Sequence, residues 1–250
     1  MDGTHSQIVI TTKISQEINK TPSGTITQPI DVISSYQYIY NIMNELSLST
    51  GAIIRKEDNY ISGSNIDNKY KVFFNNQDGL KFAFICTSDR KHCCCCTSLR
   101  IILRHLYSPE EDQDVAKIYL ELDKSYSLNC CLCKSDMKVK LFENNNIIGR
   151  IKELCTICNK KINIIDENNV EYNIIEDSHV IISGKNQQFN EYEEYTFKIE
   201  SKNETVGYIT SKSFPQNNNI IKITFPQKAL PEEKLLIICG GLYINYQLNS

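Results

Sequence analysis

The 250-residue sequence has no surplus of positive charge: 27 Lys and Arg stand against 30 Asp and Glu, a formal net charge of −3. Holding a nucleic-acid backbone needs a basic excess that releases counterions along the phosphates, so a global nucleic-acid function is disfavoured. Long apolar runs are also missing. The longest, Leu235–Ile244, has ten residues, which as a helix cover about 15 Å. A bilayer core of about 30 Å needs roughly 20, and Asn245 and Gln247 interrupt any extension. This run is therefore expected to be a helix buried in protein, apolar all round because protein surrounds it. The amino-terminal stretch "MDGTHSQIVITTKISQEINK" has no basic region followed by an apolar one, so no secretory signal is read and an intracellular chain is expected. The nearest glycine is Gly3, which argues against N-myristoylation. No phosphate-binding loop, metalloprotease motif or nucleophile elbow is found, and His92 has no partner constellation beside its neighbouring thiols. An enzyme is not expected.

Cysteine, in contrast, is plentiful: eleven residues, four of them consecutive in "DRKHCCCCTSLR" (89–100). An odd number excludes complete internal pairing, and a reducing compartment disfavours a disulfide framework. Cys93 and Cys96, Cys130 and Cys133, and Cys155 and Cys158 each stand at Cys-x-x-Cys spacing, which lets two thiolates from one knuckle reach a tetrahedral metal. Zinc held by Cys130, Cys133, Cys155 and Cys158 is thus one reading, and it defines an alternative function: a zinc-stabilised cytosolic interaction module without lipid transport. Against it, residues 134–154 already read as a hairpin. Cys86, on the apolar face of a strand, and Cys239, inside the terminal helix, read as small buried hydrophobes. Between residues 76 and 106 five basic side chains, Lys81, Arg90, Lys91, Arg100 and Arg104, face only Asp78 and Asp89, a local excess of +3.

Residues 1–32 are rich in Thr, Ile, Gln and Ser without a sustained period and are expected to be a flexible tail. From about residue 33 the chain reads as strands, forming one domain over 33–250. Tyr70, Val72 and Phe74 share a face, "NNQDG" supplies a turn, and Leu80, Phe82, Phe84 and Cys86 alternate after it. Similar runs follow around Leu99–Leu103, Ile118–Leu122 and Met137–Leu141. Such strands without intervening helical patterns favour an antiparallel sandwich or barrel. "VKLFENNNIIGRI" (139–151) and "FKIESKNETVGYI" (197–209) align without gaps at an offset of 58, predicting two related hairpins with Gly149 and Gly207 at matching positions. Pro231 followed by Glu232 and Glu233 marks a helix start, and the terminal helix is expected over about 232–247.

The segments "YKVFFNNQDGLKFAF" (70–84), "CCCCTSLRIIL" (93–103), "LNCCLCKSDMKVKLFENNNIIGRIKE" (128–153), "YTFKIESKNETVGYITSKSF" (195–214) and "ALPEEKLLIICGGLYINY" (229–246), in this order and spacing, resemble the phospholipid scramblase family over roughly residues 33–248. The resemblance implies a mainly β fold: a single twelve-stranded antiparallel barrel, similar to the tubby carboxy-terminal domain, closed around a buried carboxy-terminal hydrophobic helix. It implies bidirectional movement or binding of phospholipids at the cytosolic face of a membrane, with the plasma membrane as the expected location. Palmitoyl anchors would fall on Cys130, Cys131 and Cys133, and Cys93, Cys94, Cys95 and Cys96 have the same character. Arg90, Lys91, Arg100 and Arg104 would then face the anionic membrane surface, each adding about 1 kcal/mol. A chain without acyl groups would be cytosolic or nuclear, and oligomers are compatible with either activity. The chain departs from this family in lacking a proline-rich amino-terminal region. The stretch corresponding to the family's calcium segment, "FPQNNNIIKITFPQ" (214–227), has no carboxylate. A hard cation needs six to eight oxygens, several of them charged, so calcium is not expected to bind here with useful affinity.

Overall fold

The structure is a computed structural model that describes residues 40–57, 66–93, 96–106, 114–118, 136–141, 146–154, 161–182, 192–214 and 219–248. The expected tail, 1–32, lies outside them. Twelve strands form one antiparallel sheet: β1 (Gly51–Lys56), β2 (Ile66–Asn76), β3 (Gly79–Cys93), β4 (Cys96–Leu106), β5 (Asp114–Ile118), β6 (Asp136–Leu141), β7 (Asn146–Leu154), β8 (Lys161–Asp166), β9 (Glu171–Ile182), β10 (Tyr192–Ser201), β11 (Glu204–Ser213) and β12 (Ile220–Thr224). They lie in the order β5-β4-β3-β2-β1-β12-β11-β10-β9-β8-β7-β6, and among the described residues no pairing joins β5 to β6. One helix, α1 (40–48), precedes β1, and another, α2 (Pro231–Leu248), ends the described chain.

Two features in the first part of the domain correct a simple strand reading. Residues 40–48 are helical because Ile42, Met43 and Leu46 recur at i, i+1 and i+4, placing three buried side chains on one helical face. In β3 the expected face of Leu80, Phe82, Phe84 and Cys86 is broken: Phe84 pairs with Val72 but Phe82 pairs with Phe73, leaving Ala83 as an extra residue. Such a bulge flips the alternation. Phe84 and Cys86 are buried with Tyr70, Val72 and Phe74, whereas Leu80 is 47 % exposed.

The 58-residue echo is present as two hairpins, β6–β7 and β10–β11, each with a register shift at the matching place. Val139 pairs with Gly149 and Lys140 with Ile147, leaving Ile148 over. Likewise Ile199 pairs with Gly207 and Glu200 with Thr205, leaving Val206 over. Each glycine follows its bulge and lies against the next strand. A Cβ on Gly149 would sit 2.6 Å from the Ile165 carbonyl oxygen and 2.6 Å from Leu236 Cδ1; one on Gly207 would sit 2.5 Å from the Thr224 carbonyl oxygen. Backbone oxygens in a ladder have little room to yield. Gly149→Ala is expected to lower stability by about 1–3 kcal/mol, read as a shift in the thermal or urea midpoint; an unchanged midpoint would mean that β8 gives way freely.

The core is built around α2. Leu235, Leu236, Ile237, Ile238, Cys239, Leu242, Tyr243 and Ile244 are all buried, on every side of the helix, against Ile54, Val72, Phe74, Ile151, Ile164, Ile174, Phe197, Ile209 and Ile223 of the sheet. The expected buried helix is observed, one residue longer at each end. Among the described residues no helix is long and apolar enough to cross a membrane.

Candidate functional site

The four-cysteine run falls at the end of the β3–β4 hairpin. Pairing proceeds without a register shift from Ile85↔Arg104 to Cys93↔Cys96, so Cys93 and Cys96 are directly opposed and only residues 94 and 95 join them. Of the expected basic positions, Arg90 pairs with Leu99, Lys91 with Ser98 and Arg100 with Asp89, all within four rungs of the cysteines. Arg104 stands eight rungs away, about 27 Å along a strand. Lys81 is further still along β3 and is ion-paired with Glu45 of α1. The local excess counted along the sequence is therefore divided between the two ends of the hairpin.

Cys94, Cys95, Cys130, Cys131, Cys133, Cys155 and Cys158 lie outside the described residues, so both the cluster expected to carry acyl chains and the four cysteines of the zinc reading fall there. Their flanking strands are described. In an antiparallel sheet the connections alternate between two ends, and the carboxy terminus of β3, the amino terminus of β6 and the Leu154↔Lys161 rung that closes β7 on β8 share one of them. Among the described residues no group of three or more His, Cys, Asp or Glu could hold a metal ion. Cys86 and Cys239 have the core positions expected of them; burial pushes both thiols up, and Cys239 Sγ donates to the Leu235 carbonyl at 3.0 Å.

At that same end β9 outruns its neighbour. The β8–β9 ladder stops at Lys161↔Ile175, while β9–β10 continues to Ile182↔Tyr192. On this extension Val180, Ile181 and Ile182 are 50, 57 and 37 % exposed. At its base the His179 ring stacks on Tyr195, centroids 4.0 Å apart, and Tyr192 lies against Phe214 at 5.2 Å. Sequence reasoning missed this patch, although an apolar "HVII" ending in the polar "SGKNQQ" was there to be read.

The opposite end holds the polar anchorage of α2, also unread from sequence. Tyr172 donates its hydroxyl to Glu233 Oε2 at 2.8 Å, and the Leu230 N–H donates to the same oxygen at 2.9 Å. That second bond is half of a capping box, an N3 glutamate reaching back to the N-cap amide. Lys234 Nζ donates to the carbonyls of Leu46, Ser47 and Ser49 at 3.0, 2.9 and 2.8 Å, binding the carboxy-terminal turn of α1 to the first turn of α2. Near the other end of the helix, Tyr243 donates to Glu153 at 2.9 Å and the Asn245 amide to Tyr70 Oη at 3.0 Å.

Burial raises the pKa of Glu233, as it does that of neighbouring Glu232, against the hydrogen bonds that favour the charged form. The folded state thus holds these protons to higher pH than the unfolded chain. Their contribution is complete below the ordinary carboxyl value of 4.5 and is lost as pH rises through the folded value. In urea titrations from pH 4 upward, Glu233→Gln is expected to remove part of this decline with pH. A variant with the wild-type slope would place the protons elsewhere.

Comparison with protein-family models, curated proteins and solved structures gives no match for this chain.

Proposed function

We propose that the chain acts on phospholipids at the cytosolic face of a membrane, as a scramblase-type protein that binds lipid or moves it in both directions. The observation that carries this reading is an antiparallel sheet packed around an apolar carboxy-terminal helix, the coarser part of what the sequence resemblance implied. In this reading the sheet closes into a barrel between β5 and β6, whose antiparallel directions suit such a seam. Acyl chains on Cys130, Cys131 and Cys133, with Cys93–Cys96 in support, anchor the protein, since one chain alone gives marginal binding. Arg90, Lys91 and Arg100 lie near the anchored end. The exposed Val180–Ile182 stretch stands there too. Calcium has no part, because 214–227 offers it no carboxylate. Because no helix among the described residues is long and apolar enough to cross a bilayer, lipid movement would proceed through oligomerisation or through thinning of the bilayer around the protein.

The test is a vesicle assay with fluorescent phospholipid, using purified protein with and without calcium. Lipid binding or scrambling that chelators leave unchanged is expected. Activity confined to micromolar calcium would overturn the calcium reading, and no interaction with vesicles of any composition would overturn the function. Replacing Cys130, Cys131 and Cys133 by Ala should move the protein from the membrane fraction to cytosol or nucleus. About one zinc per purified chain, with unfolding on chelation, would instead establish the metal-stabilised interaction module.

A further inference from the structure

We propose that Cys93 and Cys96 form a reversible disulfide that clips the end of the β3–β4 hairpin, with a low-molecular-weight disulfide such as oxidised glutathione as the oxidant. The proposal stands on register and is independent of the lipid reading. Nine consecutive rungs without a bulge bring the two residues to directly opposed positions with two residues between them. Opposed antiparallel residues have Cα atoms about 4.5–5.5 Å apart, inside the roughly 4.4–6.8 Å that a disulfide spans. A shift of one residue would set Cys93 against Thr97 or against Cys95, and the unbroken ladder toward Ile85↔Arg104 excludes that. The sheet has already brought the two backbones together, so bond formation needs no further chain closure. Cys86 and Cys239 lie in the core, out of reach of a solution oxidant.

The chemistry balances as two exchanges. A thiolate from the pair attacks the oxidant's S–S bond, forming a mixed disulfide and releasing one small thiol. The second thiolate attacks the protein sulfur of that mixed disulfide, closing the Cys93–Cys96 bond and releasing the other small thiol. The protein loses two protons and two electrons, and the oxidant gains both as its two thiols. Within a reducing compartment such bonds are transient and act as sensors, and this one would withdraw two thiols from any acyl transfer or metal.

The experiment uses the full chain carrying Cys94→Ser and Cys95→Ser, equilibrated across ratios of reduced to oxidised glutathione, acid-quenched and alkylated. Trypsin cuts after Lys91 and Arg100, releasing residues 92–100 as one peptide with only Cys93 and Cys96 as thiols. With increasing oxidant this peptide should lose both alkyl groups together and become two hydrogens lighter than its reduced form, and reduced glutathione should restore it. Wild-type protein should lose two of the four alkyl groups on the same peptide under the same conditions. A peptide alkylated at both cysteines at every ratio, or one that ends as a mixed disulfide with glutathione, would overturn the proposal. So would thiols shielded by a metal that a chelator releases. An unchanged far-ultraviolet spectrum of the doubly substituted chain ensures that either result reports on the folded hairpin.

Discussion

A chain ending at Leu230 is expected to have no cooperative unfolding transition. α2 contributes Leu235, Leu236, Ile237, Ile238, Leu242, Tyr243 and Ile244, each buried. Burying a large apolar side chain contributes about 1.5–3 kcal/mol, so seven of them contribute about 10–20 kcal/mol, comparable to or larger than the roughly 5–15 kcal/mol that separates a folded domain from its unfolded state. The loss is compounded on the sheet side. Phe74, Phe197, Ile164 and Ile209 pack in the same cluster as the helix, and water would meet them once it was gone. Near-ultraviolet circular dichroism should lose its fine structure, an apolar dye should bind, and urea should produce a broad slope in place of a sigmoid. A truncated chain with a sharp transition and an intact near-ultraviolet spectrum would show that the sheet closes upon itself without the helix.

Much of this was legible in the sequence for physical reasons that act locally. The helix could be read because Pro231, Glu232 and Glu233 mark a start and the following run is too short for a bilayer. The hairpins could be read because period-two alternation and an Asp-Gly turn are properties of a few consecutive residues. The echo could be read because a bulge followed by a glycine leaves the same mark at 148–149 and at 206–207. What escaped depends on residues distant in the chain. The Ala83 bulge is set by the register of β2 on β3, and the exposure of Val180–Ile182 by β8 stopping short of β9. The spread of the basic positions escaped because closeness in sequence along a hairpin becomes distance along a strand: Arg104 stands eight rungs from Cys93↔Cys96 and Lys81 lies further along β3. The helix anchors escaped for the same reason, since Glu233 meets a tyrosine 61 residues away and Lys234 meets carbonyls more than 180 residues away.

Lys234→Met is expected to cost about 3 kcal/mol. The ammonium is almost wholly buried, and burial alone pushes its pKa down. Against that cost stand three carbonyl acceptors at the carboxy-terminal turn of α1, where the helix dipole also favours a cation. Phe225 adds its ring face 5.7 Å from Nζ. All three ammonium protons are thereby used. Methionine keeps most of the apolar stem and removes every donor, leaving the Leu46 and Ser49 carbonyls short of the lysine that served them. A hydrogen bond to a charged group contributes about 1.5–3 kcal/mol, and a buried acceptor left unsatisfied costs about 1–3. The return of the ammonium's desolvation cost offsets part of that sum. At about 2–4 °C per kcal/mol for a domain of this size, the melting temperature should fall by about 6–12 °C. The loss should also have a location: amides of α1 and of the following turn, including Ser49, which donates to Leu46, should exchange with deuterium sooner than those of β10 and β11. A melting temperature within a degree of wild type, with α1 exchange unchanged, would show that α1 is held by Ile42, Met43 and Leu46 alone and that the lysine merely occupies the space between two helices.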